Sequence, residues 1–177
     1  MSAWWRRNRR ALLAVVVLVP LTVGVAGGWE FWKQVQGRPT FAVTADAGTT
    51  IDFDGITFGP AKAEEITVPD VELPPDTKVV AVSVPVDRHG ASTACSIPVL
   101  RELGGQGRLW EADHQILRWD WRLYTFCPAD PRADSFPDGP FTIDVPFIVP
   151  DDVTGELGVE FTLVDELPRY VRLVVVP

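Results

Sequence analysis

Lys78-Val79-Val80-Ala81-Val82-Ser83-Val84-Pro85-Val86 is the stretch that decides the fold. Successive side chains of an extended chain point to opposite faces, so Val80, Val82, Val84 and Val86 line one side of a long strand. The same period of two recurs on either side of it. Upstream, Ile51 and Phe53 alternate with Asp52, and Ile56 and Phe58 alternate with Thr57. Asp54-Gly55 between those two runs is a strong hairpin signal. Ile66 and Val68 form a further short run closed by Pro69, and Pro74-Pro75-Asp76 reads as a turn.

Downstream, Cys95, Ile97 and Val99 run towards Gly104-Gly105-Gln106-Gly107, and Leu109-Trp110 returns, which predicts a second hairpin. Leu117, Trp119, Trp121, Leu123 and Cys127 then share one register, with Arg118, Asp120 and Arg122 on the other face. Pro128 to Pro140 is read as structureless. Phe141, Ile143, Val145, Phe147 and Val149 share a face, as do Leu157, Val159, Phe161 and Leu163, and Tyr170 to Val176 makes a last strand. No apolar pattern of helical period longer than two turns follows Lys33. The expectation for residues 41–177 is therefore an all-β, antiparallel two-sheet sandwich.

The N-terminus reads differently. Arg6, Arg7, Arg9 and Arg10 precede Ala11 to Gly28, which carries no charge, and Trp29, Phe31 and Trp32 follow. A helix over Ala11 to Gly28 is about 27 Å long, close to the roughly 30 Å hydrocarbon core of a bilayer. Arginines bias their side to the cytoplasm, and aromatic rings suit the headgroup layer. The expected organisation is a cytoplasmic basic head (1–10), one transmembrane helix (11–32), a short linker (33–40) and an extracytoplasmic domain (41–177). The linker is short enough to keep the domain near the bilayer. Gly24-Val25-Ala26 offers a rival reading as a signal-peptide cleavage site, but the aromatic collar has no use there. Pro20 is tolerated within a membrane helix.

From Gln34 onward there are 11 basic and 23 acidic residues, a net charge of −12. Such a domain is repelled by nucleic acid and by anionic headgroups. Solubility accounts for the acidity, with an acidic face for a basic partner or divalent cations as the other reading. Cys95 and Cys127 form an even pair outside the cytoplasm and are expected to be disulfide-bonded, for about 3–4 kcal/mol of chain-entropy stabilisation.

Candidate chemistry is thin. Nucleophilic catalysis needs a hydroxyl or thiol beside a histidine held by a third group. His89, in Asp87-Arg88-His89-Gly90, and His114, in Asp113-His114-Gln115, both read as turn residues. Asp46, Asp52 and Asp54 resemble calcium spacing only superficially, since Asp52 and Asp54 flank a hairpin turn. Glu64-Glu65 reads as a solvated edge and Asp151-Asp152 as a turn. No catalytic, cofactor-binding or metal-ligating residue is assigned. Trp119, Trp121 and Tyr124 read as core aromatics around the disulfide, while Trp110, at a hairpin end, remains a possible ligand contact.

The segment from about Thr49 to Pro177 resembles the telokin-like, immunoglobulin-like extracellular domains found behind signal or membrane segments in Gram-positive bacteria. The residues that carry the likeness are the valine strand Lys78 to Val86, Cys95 leading to Gly107-Arg108-Leu109-Trp110, and Phe147-Ile148-Val149-Pro150 with Pro168-Arg169-Tyr170. The resemblance implies an immunoglobulin-like sandwich and brings no catalytic residues with it. The functional expectation is a single-pass, non-enzymatic module contacting an envelope or extracellular protein. The alternative is a module binding cell-wall glycan or a divalent cation, exposed tryptophans being the feature that would favour glycan.

Overall fold

The computed structural model describes residues 2–69, 71–113, 124–128 and 139–177. Its elements in chain order are the helix α1 (Ser2–Gln36) and the strands β1 (Phe41–Ala45), β2 (Ile51–Phe53), β3 (Ile56–Phe58), β4 (Lys62–Ile66) and β5 (Thr77–Asp87). Then come β6 (Val99–Glu102), β7 (Leu109–Glu111), β8 (Phe141–Pro150), β9 (Leu157–Phe161) and β10 (Arg169–Val175), with a 3-10 turn at Val164–Glu166 before β10. The chain divides into two units, residues 1–38 and 39–177.

Two sheets make up the second unit. One runs β1-β10-β9-β6-β7; the other is built around β5, which pairs β8 along one side and β4 then β3 along the other, with β2 beyond β3. The valine stretch thus lies in the most heavily paired strand, and Val80, Val82, Val84 and Val86 are all buried. Val79, on the opposite face between Ile66 and Ile148, is buried as well. The predicted hairpin is present: Phe53 faces Ile56, and Asp54 and Gly55 have φ of 52° and 74°. Two positive φ values are what a type I′ turn demands, which is why Asp-Gly works there. The hairpin β6–β7 is also present, with Leu100 opposite Trp110.

The inner faces meet in one core. Phe58 of one sheet and Phe161 of the other lie with ring centroids 5.3 Å apart, surrounded by Ile56, Leu100, Ile143, Phe147, Leu157 and Leu173, all essentially without solvent contact. This is the two-layer β architecture that the alternating pattern called for. One strand departs from an all-antiparallel arrangement. β1 runs parallel to β10, Phe41 opposite Arg169 through Ala45 opposite Leu173. Parallel neighbours need a long connection, and here nearly the whole domain supplies it.

Among the described residues, β5 is the only named strand paired with β8. The other side of β8 meets Tyr124 in a parallel bridge at Ile143, with Asp144 N–H to Tyr124 O (3.0 Å), and Asp113 N–H to Pro146 O (2.9 Å). Leu117, Trp119, Trp121, Leu123, His114, and the segment from Ala129 to Asp138 lie outside the described residues.

α1 is a continuous helix from Ser2 to Gln36, extending past the expected span of 11–32 at both ends. The segment Arg7–Lys33 is long and apolar enough to cross a membrane, and none of it is buried in protein. Pro20 lies within it. Two residues on, the Thr22 hydroxyl donates to the Leu18 carbonyl and lies 3.2 Å from that of Val19, so this polar side chain is satisfied inside its own helix.

Candidate functional site

The most chemistry-like arrangement surrounds His89. Its Nε2 lies 2.9 Å from the Thr57 hydroxyl, and its Nδ1 lies 3.4 Å from Asp87 Oδ1, the order of a nucleophile, a base and an orienting carboxylate. The Thr57 hydroxyl is shared with a second carboxylate, Asp52. Thr57 donates its hydroxyl proton to Asp52, and His89 Nε2 lies within hydrogen-bonding distance of the same Oγ1. His89 is exposed, in a left-handed turn conformation (φ 46°), and its backbone N–H bonds Asp87 Oδ1 at 3.0 Å. Nearby, Thr93 bonds Asp54 at 2.9 Å. The network fastens the β2–β3 hairpin to the turn after β5.

A second cluster covers the outer face of the sheet that contains β9. Glu160 is buried (7% exposed), although alternation with Val159 and Phe161 directs it outwards. Arg172, directly opposite on β10, places Nε 2.9 Å and Nη2 2.7 Å from Glu160 Oε1. Arg101 on β6 places Nε 2.7 Å from the same oxygen. Arg172 Nη2 also donates to the Tyr170 hydroxyl. The bond to Glu160 holds the Arg101 guanidinium above its ordinary pKa, while burial, and then the Glu160 charge, raise the Tyr170 phenol. Gly158 makes room for this layer: a Cβ there would sit 3.0 Å from Leu103 Cδ2 and 3.1 Å from the stem of Arg172. Glu160→Ala would leave two guanidiniums facing each other. The expected loss is about 2 kcal/mol, below the 3–5 of a fully buried broken pair, because Arg101 and Arg172 keep 35% and 22% exposure. Urea denaturation reads it, and a change under about 0.5 kcal/mol would mean that solvent screens the triad.

At the other end of β6, Glu102 organises the hairpin loop. It accepts Nε (3.0 Å) and Nη2 (3.1 Å) of Arg108, and Gln106 N–H at 3.2 Å. Arg108 Nη1 reaches Asp152 at 3.0 Å. The Arg108 bonds hold the Glu102 carboxyl below its usual range, and Arg108 is raised in turn, first by Glu102 and then by Asp152. The Arg108 guanidinium also lies over Trp110, 5.6 Å from the ring centroid. Trp110 is half-buried and packs on the core side of β7. It is already covered by an arginine on one side and core on the other.

The remaining predicted residues fall as follows. Cys95 and Cys127 are bonded, with Cα atoms 4.7 Å apart and both side chains buried. They pair through isolated bridges rather than through a strand, Cys95 touching Leu163 on its other side. Arg7, Arg9 and Arg10 lie in the first part of α1, as does Arg6, whose side chain is outside the described set. Trp29 and Trp32 are exposed on its last part, Trp29 with Lys33 Nζ 5.5 Å from its ring. Glu65 pairs with Lys78 at 3.3 Å on the edge strand β4. Asp46 is a turn residue, its carbonyl accepting Thr49 N–H at 3.1 Å and hydroxyl at 2.7 Å. Among the described residues no group of three His, Cys, Asp or Glu side chains could hold a metal. A cleft of about 370 Å³ lies between the turn after β1, β4 and the end of β10, lined mainly by Ala47, Gly48, Ala61, Ala63, Val174 and Val176.

The Glu160 triad, unlike the disulfide, was not foreseen. Glu160 and Arg172 lie on consecutive strands, but Arg101 comes from β6, far away in sequence, and only the alternation around Glu160 hints at its face. No family model, no curated protein and no solved structure matches this chain.

Proposed function

We propose that this chain is a single-pass membrane protein whose N-terminus is cytoplasmic. Its domain, held outside the cytoplasm, is a non-enzymatic, telokin-like immunoglobulin-like sandwich that contacts another envelope or extracellular protein. The observation that carries the reading is the pairing of two unlike units. α1 presents an apolar surface with no protein around it, while the domain has a complete core of its own. Arg6, Arg7, Arg9 and Arg10 lie beyond the first turn of α1 and gain nothing from the helix macrodipole, so helix stability does not explain them. Orientation in a membrane does. The disulfide supports an oxidising compartment. The sheet order β7-β6-β9-β10, opposite a β5–β8 pair, corresponds to the C′CFG order and the B–E pair of immunoglobulin domains. The charged clusters described above are satisfied internally, which favours a scaffold over a reaction centre.

Cross-linking in intact cells, followed by alkaline carbonate washing of the membranes, tests both halves. The chain is expected to stay in the washed membranes and to carry a discrete protein adduct on its domain. Release by carbonate removes the anchor; repeated absence of any adduct removes the protein contact.

A further inference from the structure

The domain's exposed large apolar side chains are not scattered. Of the six described there, Phe41 (56% exposed), Ile97 (43%), Phe126 (41%) and Val164 (69%) belong to one end of the β1-β10-β9-β6-β7 sheet. The pairing shows why they share that end. Phe41 opens β1 opposite Arg169, which opens β10. Val164 follows Leu163, Leu163 pairs with Cys95, and Cys95 pairs with Cys127, next to Phe126. Ile97 lies between that bridge and β6. The other two, Leu109 and Val176, belong to the opposite end, beside the β6–β7 loop and beyond the last residue of β10.

Chain length says what lies next to this rim. α1 ends at Gln36, and Thr40 is already fastened to the domain, its N–H bonding Pro168 O at 2.8 Å. Four peptide steps span at most about 14 Å, whatever the angle between the two units. Phe41, which opens the rim, is thus the rim residue closest along the chain to the aromatic collar Trp29, Phe31 and Trp32. Single exposed apolar residues need no explanation, but a group of four at the tethered end does.

We infer that the Phe41, Ile97, Phe126 and Val164 rim rests in the headgroup layer of the bilayer that α1 crosses, as an apolar interfacial contact. This builds on the anchoring half of the proposed function and adds a second attachment, made by the domain itself. It does not depend on anionic lipid. The acidic domain would be repelled by such a surface, and at the rim the charge of Arg169 is matched by Glu166. The nearby tip of the other sheet carries Asp52, Asp54 and Asp87 and stays in water; Phe53 of that hairpin lies 5.3 Å from the Arg169 guanidinium.

The test uses the full chain in phosphatidylcholine vesicles, with a nitroxide attached to one introduced cysteine at a time. The native pair is bonded and buried, so it does not compete for the label. Accessibility to oxygen, which concentrates in lipid, is compared with accessibility to a water-soluble nickel chelate for Val164→Cys, Val176→Cys and Leu18→Cys. The expected oxygen-to-nickel ratio is highest at Leu18, several-fold above Val176 at Val164, and lowest at Val176. A Val164 label as water-accessible as the Val176 label, with Leu18 in lipid, overturns docking and leaves the anchor standing. A water-accessible Leu18 label overturns both. Strong dipolar broadening between Val164 labels on different chains would mean that a second copy covers the rim, which also overturns lipid docking.

Discussion

Replacing Cys95 and Cys127 together by alanine is expected to lower the unfolding free energy of the domain by about 3–4 kcal/mol. The bond closes an interval of 32 residues, and the chain-entropy relation gives about 3.7 kcal/mol for a loop of that length. For a domain of this size that corresponds to a melting temperature lower by roughly 10–15 °C. The physical reason is regional. Between the cysteines the chain contributes only the short strands β6 and β7 to the described sheets. Near the bond it is held by isolated bridges and by backbone bonds of 3.2 and 3.3 Å between Cys95 and Cys127. Thermal unfolding of the detergent-solubilised chain, followed by near-ultraviolet circular dichroism, measures the effect. Chemically reduced wild type separates loop closure from lost packing, since it keeps both sulfurs. A loss below about 1 kcal/mol in both would mean that the unfolded chain already holds this interval together, and the entropic account fails.

Phe161→Ala is the second large effect, at about 3–5 kcal/mol, the range for emptying a buried phenylalanine site. Phe161 is fully buried at the end of β9 and lies against Phe58 of the facing sheet. Its removal leaves a void that two hydrogen-bonded sheets cannot readily close. Phe161→Leu should cost less than about 1.5 kcal/mol, because most of the volume stays. Urea titration reads both, with the slope of the transition unchanged. A cost under about 2 kcal/mol for the alanine variant would show the sheets sliding together to fill the gap. That would argue against a rigid contact between Phe58 and Phe161.

Much of this architecture is legible from residue order alone, because its determinants are local. Asp54-Gly55 specifies its turn through the φ values that those two residues accept. The valines of β5, and Phe141, Ile143, Val145, Phe147 and Val149 of β8, announce buried faces by alternation. Cys95 and Cys127 are legible as a pair because there are two of them. Non-local pairing is another matter. That β1 lies parallel to β10 follows from no feature of Phe41 to Ala45, and β4 forms at Lys62–Ile66, partly ahead of the Ile66 and Val68 run that suggests it. There, pairing with β5 outweighs the local pattern.

The candidate clusters show the same division. Sequence supplies residue types, whereas Thr57, His89 and Asp87 become a near-triad only once the β2–β3 hairpin meets the end of β5. There Thr57 donates to Asp52 and lies against His89, and the group fastens the hairpin to the turn after β5. Trp110 is similar. Residue order shows its type, and only the fold shows that it lies under Arg108 and packs against the core.

The pairing of β1 with β10 also bears on the order of events when the chain is made. The earliest strand of the domain to emerge has its partner at the far end of the domain's sequence. Until Arg169 to Val175 arrive, Phe41 to Ala45 can find no native neighbour in their sheet, and β9 lacks the strand that separates it from β1. The sheet can be completed only when synthesis of the domain is nearly finished. A domain passed through a narrow channel beginning with β1 would remain open for the whole transit and close once its last strand was through.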